Sequence, residues 1–512
     1  MKRNRKLPLI EIFTAFFLAL GTVAQEQKPA GTLLELQRRL NDHITQPRFA
    51  AAMWGVKVVS RETGKTLFEH NSQKLFSPAS NSKLYTVALA LDRLGADYRI
   101  KTSLYSASKP DQSGVLQGDL VVYGRGDPTI NARLHNGDIY QALEPLVSAL
   151  TNAGVRTITG DLVADESHFH GPPFGSGWAW DDLENSYGAE ISALTINDNT
   201  LQVTVKPGDR AGAPGKLAVS PETSWLIFSN HTETVAKGGR RNVNFYRPLN
   251  EHLVYISGQV PLDDAGYTED LTIPNPPGLF IALLQSAMIR HGIKVQGKLR
   301  TMNWLDREAD PIAFDHLTEF GGMESLPMRD IAREVQKPSQ NLYADLLLAQ
   351  VGEKTRAAGA GRDQTSEELG VRELNKFLAE AGVKKGDVLF EEGSGLSRNN
   401  LTTPNATVAL LQFMSRHKSA EVYLNSLPIA GVDGTLRSRM KGTPAAGNVR
   451  AKTGTLRWAN SLSGHVTTAA GEHLIFSIML NRYYSPEPNR SGRAEVDPIA
   501  VMLAGFTGKT GD

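Results

Sequence analysis

The residue pattern in the middle of the chain differs from the pattern at its two ends, and this difference strongly restricts the possible folds. From about residue 100 to about residue 270 the sequence consists of short alternating segments separated by Gly and Pro turns, for example GDLVVYGRGDPTI and ALTINDNTLQVTVKPGD. The flanking segments contain most of the helical patterns. At 512 residues the chain is also too long for one ordinary domain. We therefore predict an α+β domain formed by residues 25–99 and 318–512, interrupted by a β-rich insertion.

The outer segments carry signals of both helices and paired strands. Residues 32–45 have helical spacing, and AAMWGVKVVS, RETGK and TLFEHN are typical of strand, turn and strand. The stretch SNSKLYTVALALDRLG predicts an amphipathic helix that ends at Gly95. Near the C-terminus, SLSGHVTTAAGEHLIFSIMLNR predicts two strands around the turn AAGE.

Composition excludes several classes of function. The 55 Lys and Arg residues are balanced by 54 Asp and Glu residues, and the formal net charge of +1 gives no electrostatic reason to expect a nucleic-acid partner. The chain has no cysteine, which excludes disulfides, a thiol nucleophile, thiolate metal ligands and a lipid-modified cysteine. The 12 histidines form no His-Glu-x-x-His pair, and we predict neither a metal nor a cofactor.

The N-terminus has the layout of a secretory signal. A basic cluster, MKRNRK, precedes the mostly apolar stretch LPLIEIFTAFFLALGTVA, and Thr22 and Ala24 are small residues before a predicted cut after Ala24. An uncleaved membrane anchor is the alternative, but Glu11 leaves only about nine uninterrupted apolar residues where a spanning helix needs about 20. We predict that residues 1–24 are a cleaved signal peptide and that the mature protein is extracytoplasmic, in the periplasm.

Ser80 and Lys83 lie at the start of the predicted helix that ends at Gly95. A helix N-terminus favours developing negative charge, and a lysine at i+3 shares the serine's face of the helix. Such a lysine can act as a base only if its pKa falls from about 10.4. The alternative is a capping serine beside a solvated lysine, because the same spacing recurs at Ser106/Lys109, Ser415/Lys418 and Ser438/Lys441.

Two further short motifs follow in order along the chain. Ser339-Gln340-Asn341 occupies a polar turn before an apolar helix, although the Ser-x-Asn spacing recurs at residues 397–399. Lys452-Thr453-Gly454-Thr455 lies in a predicted strand, where the glycine lets a substrate backbone approach and the lysine and hydroxyls suit a carboxylate. A second Lys-Thr-Gly, at residues 509–511, has no strand after it. The serine motif, Ser-x-Asn and Lys-Thr-Gly in this order are the signature of penicillin-binding proteins and β-lactamases.

With these motifs the sequence resembles the class C low-molecular-mass penicillin-binding proteins, the S13 family of D-alanyl-D-alanine carboxypeptidases and endopeptidases. The resemblance covers nearly all of the mature chain and includes the segments YGRGDPTI, GDLVADESHF, GWAWDDL, YGAEISALTINDN, EEGSGLSRNNLTTP and LPIAGVDGTLRSRM. It implies a multidomain α+β fold: a β-lactamase/transpeptidase-like domain, with an antiparallel sheet flanked by helices, and two inserted β-rich domains. We expect the inserted domains at residues 100–190 plus 276–317 and at residues 191–275.

The resemblance also implies the reaction, which is acyl transfer from D-alanyl-D-alanine. Ser80 would attack the peptide carbonyl, and Lys83 would take its proton, although the sequence leaves open which base does so. The remaining implied roles are proton relay and peptide binding by Ser339 and Asn341, carboxylate binding by Lys452 and Thr453, and an oxyanion hole formed by the backbone N–H groups of Ser80 and Thr455. Water would then hydrolyse the acyl-enzyme, and penicillins would stall at that step.

A further likeness concerns the free end of the stem-peptide side chain. In the S13 family, an acidic residue after the Trp-rich segment and an arginine in GSGLSR are implicated in binding this end. The matching residues are Asp182 and Arg398. A diaminopimelate-type side chain ends in an amine and a carboxylate, which suits one acid and one arginine. The alternative is a surface salt bridge or a loop cap.

The expected partners are therefore peptidoglycan stem peptides and their cross-links, with β-lactams as inhibitors. A serine β-lactamase would share the three motifs, and a non-catalytic penicillin sensor or cell-wall-binding protein would share the fold without turnover. The intact Ser80, Lys83, Ser339 and Lys452 favour the enzyme. The sequence leaves open the balance of carboxypeptidase and endopeptidase activity, the formation of a homodimer, a peripheral association with the membrane and the role of the smaller inserted domain.

Overall fold

The computed structural model describes residues 29–357, 363–485, 487 and 491–511. The predicted signal peptide, residues 1–24, lies outside the described residues. None of the helices in the described part of the chain is both long and apolar enough to cross a membrane.

The N-terminal segment forms the elements that its pattern predicts, with one difference. Its elements are α1 (Leu33–Ile44), β1 (Met53–Ser60), β2 (Thr66–His70) and α2 (Ser82–Arg93). Thr32 caps α1, because its hydroxyl accepts a hydrogen bond from the Glu35 N–H at 3.2 Å. Helix α2 is not amphipathic, since every residue from Ser82 to Leu91 is buried. It is therefore a central helix that is covered on all sides.

The insertion is rich in strands, as the sequence predicts, and also contains helices. The strands are β3 (Lys101–Ser106), β4 (Val115–Leu116), β5 (Leu120–Tyr123), β6 (Thr157–Ile158), β7 (Leu162–Asp165), β8 (Thr200–Lys206), β9 (Lys216–Ser220), β10 (Ile227–Val235), β11 (Asn242–Tyr246), β12 (Leu253–Pro261), β13 (Tyr267–Thr272), β14 (Lys294–Val295), β15 (Leu299–Met302) and β16 (Thr318–Glu324). The helices are α3 (Ile139–Asn152), α4 (Pro276–Arg290) and α5 (Trp304–Ala309).

The C-terminal segment is helical at first and then ends in three long strands and a helix. Its elements are α6 (Met328–Gln336), α7 (Asn341–Ala357), α8 (Ser366–Glu380), β17 (Val388–Leu389), β18 (Leu401–Thr402), α9 (Pro404–Met414), α10 (Ala420–Ser426), β19 (Arg450–Leu456), β20 (Ala459–Thr467), β21 (His473–Asn481) and α11 (Arg493–Ala504). The strands β20 and β21 are the predicted pair around the turn AAGE.

The central sheet joins strands from both ends of the chain. It is five-stranded and antiparallel, in the order β19-β20-β21-β1-β2. Val56 and Val58 of β1 face a core shared with α1 and α11. Val59 points to the opposite face, where α2 packs among α6, α7, α8 and α10. The predicted antiparallel sheet flanked by helices is confirmed.

The insertion adds several smaller sheets to this central domain. A five-stranded mixed sheet has the order β15-β7-β5-β3-β16, and three-stranded sheets have the orders β14-β6-β4, β13-β8-β9 and β10-β12-β11. Residues of α3 and α4 share one continuous core with many of these strands. The β-rich insertion is therefore confirmed. Its division into residues 100–190 plus 276–317 and residues 191–275 stays a prediction.

Gly55 in β1 provides a test of how tightly the central sheet is packed. A Cβ at residue 55 would overlap the ring of Phe76, which is buried. We expect Gly55→Ala to lower the free energy of unfolding by about 1–3 kcal/mol, because the ring cannot move without displacing its neighbours. Thermal unfolding measures the change. Gly31→Ala is the matched control, since a Cβ there would meet no atom within 4 Å. Equal melting temperatures for the two variants would contradict the prediction.

Candidate active site

The segment before α2 presents the Ser80 hydroxyl at the start of a buried helix. Ala79 has a φ of 48°, in the left-handed region that residues with a side chain seldom adopt. Ala79–Asn81 then form a 3-10 turn that runs directly into α2. Ala79 and Asn81 are buried, whereas Ser80 is partly exposed. The N–H groups at this helix start are placed to stabilise negative charge on a group bound at Ser80.

Lys83 is fully buried, and its amine is surrounded by oxygen atoms. Its Nζ lies 3.0 Å from Ser80 Oγ, 2.6 Å from Asn341 Oδ1 and 2.7 Å from the Ser394 carbonyl oxygen. The Asn341 amide oxygen and the Ser394 carbonyl can only accept hydrogen bonds, whereas the Ser80 hydroxyl can also donate one. A neutral amine has two N–H groups and one lone pair, so it can donate to the two acceptors and receive the Ser80 proton. The alternative of a solvated lysine is wrong.

The ionisation of Lys83 is shifted toward the neutral form. Burial lowers its pKa from the usual 10.5 to about 8. The negative charges of Glu392 and Asp345 act in the opposite direction and limit this shift. A substantial fraction of Lys83 is therefore unprotonated at a pH near 8, which a general base requires.

The two acids near Lys83 also shape the loop that carries the Ser394 carbonyl. The carboxylate of Asp345 accepts a hydrogen bond from the Gly393 N–H at 2.8 Å. Glu392 accepts from the N–H groups of Ser394 at 2.9 Å and Gly395 at 2.7 Å. Both acids are buried. They hold residues 392–395 so that the Ser394 carbonyl points at the Lys83 amine.

Ser339 and Asn341 sit at the turn before α7, and each contacts one of the two buried lysines. Ser339 has a φ of 70°, again in the left-handed region, and its Oγ accepts a hydrogen bond from Lys452 Nζ at 2.7 Å. Asn341 binds Lys83 through Oδ1, and its Nδ2 donates to the Tyr187 carbonyl at 2.8 Å. Because a carbonyl can only accept, this second bond fixes which end of the Asn341 amide faces Lys83.

The Lys-Thr-Gly strand is β19, at the edge of the central sheet. Lys452 is fully buried, and burial, followed by the positive charges of Lys83 and Arg439, lowers its pKa well below the ordinary value. The Thr453 hydroxyl lies 2.8 Å from that of Thr435. Gly454 has no room for a side chain, because a Cβ would overlap the Pro78 carbonyl oxygen and the Ser461 hydroxyl. The glycine therefore lets β19 lie against the backbone that precedes Ser80.

The two residues predicted to bind the substrate side chain lie in one electrostatic neighbourhood. Asp182 is buried in the 3-10 turn Trp180–Asp182, and its carboxylate accepts a hydrogen bond from the Ala179 N–H at 3.1 Å. Burial raises its pKa, and Asp181 adds to this, while Arg398 and Arg457 lower it. No ion pair joins Asp182 and Arg398 in the part of the chain that the structure describes. Both arginines are exposed.

The structure thus brings together Ser80, Lys83 and Asn341, and separately Ser339 and Lys452. The two groups are neighbours, because the positive charge of Lys83 acts on Lys452. Thr455 is exposed at the end of β19, where its hydroxyl accepts a hydrogen bond from Arg493 Nε at 3.2 Å. Sequence reasoning missed several residues that contact or influence this cluster: Tyr187, Asp345, Glu392, Ser394 and Arg457. Asp345 could have been found, because it follows Asn341 by one helical turn.

Comparison with known proteins agrees with the geometry. Residues 36–503 match the D-Ala-D-Ala carboxypeptidase 3 (S13) family. The chain is 32% identical over 491 residues to a D-alanyl-D-alanine carboxypeptidase of Actinomadura sp. (strain R39). This alignment covers 93% of this chain and 86% of the relative. It is 26% identical over 422 residues to D-alanyl-D-alanine carboxypeptidase DacB of Haemophilus influenzae, which covers 81% of this chain and 82% of that protein.

A solved structure extends the likeness to the fold. The crystal structure of penicillin binding protein 4 (dacB) from Haemophilus influenzae superposes with a TM-score of 0.76 at 24% identity, over 91% of this chain and 98% of that chain. The predicted resemblance is confirmed by the match over most of the sequence. The chain belongs to the D-Ala-D-Ala carboxypeptidase 3 (S13) family.

Proposed function

We propose that this protein is a serine D-alanyl-D-alanine carboxypeptidase that acts on peptidoglycan stem peptides through an acyl-enzyme on Ser80. The observation that carries the proposal is the fully buried amine of Lys83, 3.0 Å from the Ser80 oxygen and held by two acceptors. A serine beside a lysine that can be neutral is an activated nucleophile. Membership in the S13 family supports the same reaction.

In the first step the Ser80 oxygen attacks the carbonyl of the penultimate D-alanine, and the Ser80 proton passes to Lys83. The charge that develops on the carbonyl oxygen is stabilised by the backbone N–H groups of Ser80 and Thr455. The C–N bond then breaks, and the terminal D-alanine leaves as an amine. Ser339 donates the proton to this amine and takes a replacement from Lys452 Nζ, which lies 2.7 Å away.

The terminal carboxylate of the substrate is bound by Lys452 and Thr453. An arriving carboxylate favours the ammonium form of Lys452, which burial disfavours in the free protein. The edge position of β19 leaves room for the peptide backbone to lie along the strand. Water then hydrolyses the acyl-enzyme, and a penicillin that mimics the dipeptide remains attached to Ser80.

The same site can cleave cross-links if the leaving amine belongs to the side chain of a second stem peptide. The group of Asp182, Arg398 and Arg457 offers both charges that the zwitterionic end of a diaminopimelate-type side chain needs. We propose that the protein works outside the cytoplasm, because peptidoglycan lies there and the first 24 residues have the layout of a signal peptide.

The reaction is tested by D-alanine release from a peptide that ends in D-Ala-D-Ala. Below a pH of about 8 we expect kcat/KM to rise about tenfold per pH unit and then to level off, because Lys83 has a pKa of about 8 and acts only when neutral. Ser80→Ala should release no D-alanine. A profile that is flat from about pH 6 to about pH 9 would exclude Lys83 as the base, and an active Ser80→Ala protein would exclude the proposed nucleophile.

The position of β19 is tested by Gly454→Ala. A Cβ would push the strand away from the backbone before Ser80. Lys452 and Ser80 would then no longer be spaced to bind and attack the same substrate. A shift on the order of 1 Å lowers the rate about 100-fold, and we expect this loss in the rate of Ser80 acylation by a penicillin. Gly505→Ala is the control, because the nearest atom to its Cβ would be 3.4 Å away. An acylation rate equal to that of the control would contradict the placement of the substrate.

The role of Arg398 is tested with two substrates that differ only in whether the carboxylate at the side-chain end is free or amidated. We expect the wild-type protein to prefer the free carboxylate and Arg398→Ala to lose about tenfold of that preference, as a lost charge-assisted hydrogen bond predicts. The ratio of kcat/KM values for the two peptides measures it. Arg416→Ala, another exposed arginine, should leave the ratio unchanged. An unchanged ratio in Arg398→Ala would show that Arg398 does not recognise the side-chain carboxylate.

A further inference from the structure

A second cavity lies behind the catalytic cluster, on the side of α7 that faces the insertion. Its volume is 740 Å³. It is lined by residues after β7, by the corner between β15 and α5, and by the start of α8. None of the catalytic residues proposed above lines it. We call it the acidic cavity.

Five acids line the acidic cavity, and the charge of Arg247 acts on one of them, Glu190, from outside the lining. Its carboxyl groups come from four parts of the chain: Glu166, Glu190, Asp345, and the pair Glu367 and Glu368. Among the described residues that line it there is no lysine or arginine. The wall also carries the ring of Trp304 stacked on His170, with centroids 5.3 Å apart and planes inclined by 17°. Such a wall suits a cation that can also lie against aromatic faces.

Asp345 gives independent evidence for a ligand-binding site. The side chain is only 3% exposed, and its Oδ1 is engaged by the Gly393 N–H. Its Oδ2 is buried and has no hydrogen-bond partner, although Asp345 is part of the cavity wall. Burial raises the pKa of Asp345 well above its usual value, and the charges of Glu392 and Glu367 add to this. An oxygen of a buried carboxyl group without a partner is costly, so a group that enters the cavity and hydrogen-bonds to it would be stabilised there.

The other acids are also poised to accept a positive charge. Burial and the charges of Glu392 and Glu391 outweigh the hydrogen bonds from Ser176 and raise the pKa of Glu367 to about 7. Burial and the charges of Glu190 and Asp165 outweigh the hydrogen bond from Ser192 and raise the pKa of Glu166 to about 7 as well. A bound cation would favour the ionised form of these groups, and binding near neutral pH would therefore release protons.

The geometry favours an organic cation over a metal ion. No group of three or more His, Asp or Glu side chains in the described ranges is arranged to hold a metal. The acids lie around a space of 740 Å³, which is large enough for a small molecule. We propose that the acidic cavity binds an organic ammonium ion, preferably one with two amino groups.

Binding is tested by calorimetry on the full mature protein, with 1,5-diaminopentane as the probe and 1,5-pentanediol as its uncharged match. We expect saturable binding of the diamine alone. In two buffers of different ionisation enthalpy at about pH 7, the wild-type protein should show proton release on binding. Binding of the diol equal to that of the diamine, or the absence of proton release, would overturn the site.

The location is tested by Glu367→Gln, which should bind the diamine about tenfold more weakly, as the loss of one charge-assisted contact predicts. Glu380→Gln is the matched control, because Glu380 lies on the same helix but is exposed and outside the cavity. Unchanged affinity in Glu367→Gln, with wild-type thermal unfolding, would refute the location. If that variant does not fold, the proton release measured on the wild-type protein still tests whether the acidic cavity binds the diamine.

Discussion

The burial of the Lys83 amine determines the arrangement of the candidate active site. Lys83 is fully covered, and each of its contacts comes from a different part of the chain: Ser80 from the turn before α2, Asn341 from the start of α7, and Ser394 from a later loop. Desolvation makes the ammonium form costly, and the acceptors satisfy the N–H groups of the neutral form. The fold therefore converts an ordinary lysine into a group that can remove a proton.

The scaffold explains how that burial is maintained. Helix α2 is buried on all sides, so its first turn cannot move away from its neighbours without opening the helical layer. Ala79 and Ser339 both adopt left-handed backbone conformations, each of which costs on the order of 1–3 kcal/mol for a residue with a side chain. Such conformations persist only where the surrounding packing fixes them, and here both lie beside the residues of the proposed reaction.

Local signals made a large part of this structure predictable. The helical spacing of residues 32–45, the turn AAGE and the ordered short motifs predict α1, the pair β20–β21 and the residues of the candidate active site. The surroundings of Lys83 could not be predicted from local signals, because they depend on contacts between residues more than 250 positions apart. The pattern of α2 predicts an amphipathic helix, and only the packing of neighbouring helices shows that its polar face is covered too. Arg457 and Tyr187 join the site through loop positions without a distinctive pattern.

We infer that Ser80 is the nucleophile and that Lys83 activates it. The decisive experiment is to incubate the mature protein with a penicillin and to locate the covalent adduct by peptide mass spectrometry. We expect a stable adduct on Ser80, within the peptide that contains residues 76–86, and no adduct in folded Ser80→Ala protein. An adduct on another serine, or none on folded wild-type protein, would show that Ser80 is not the nucleophile.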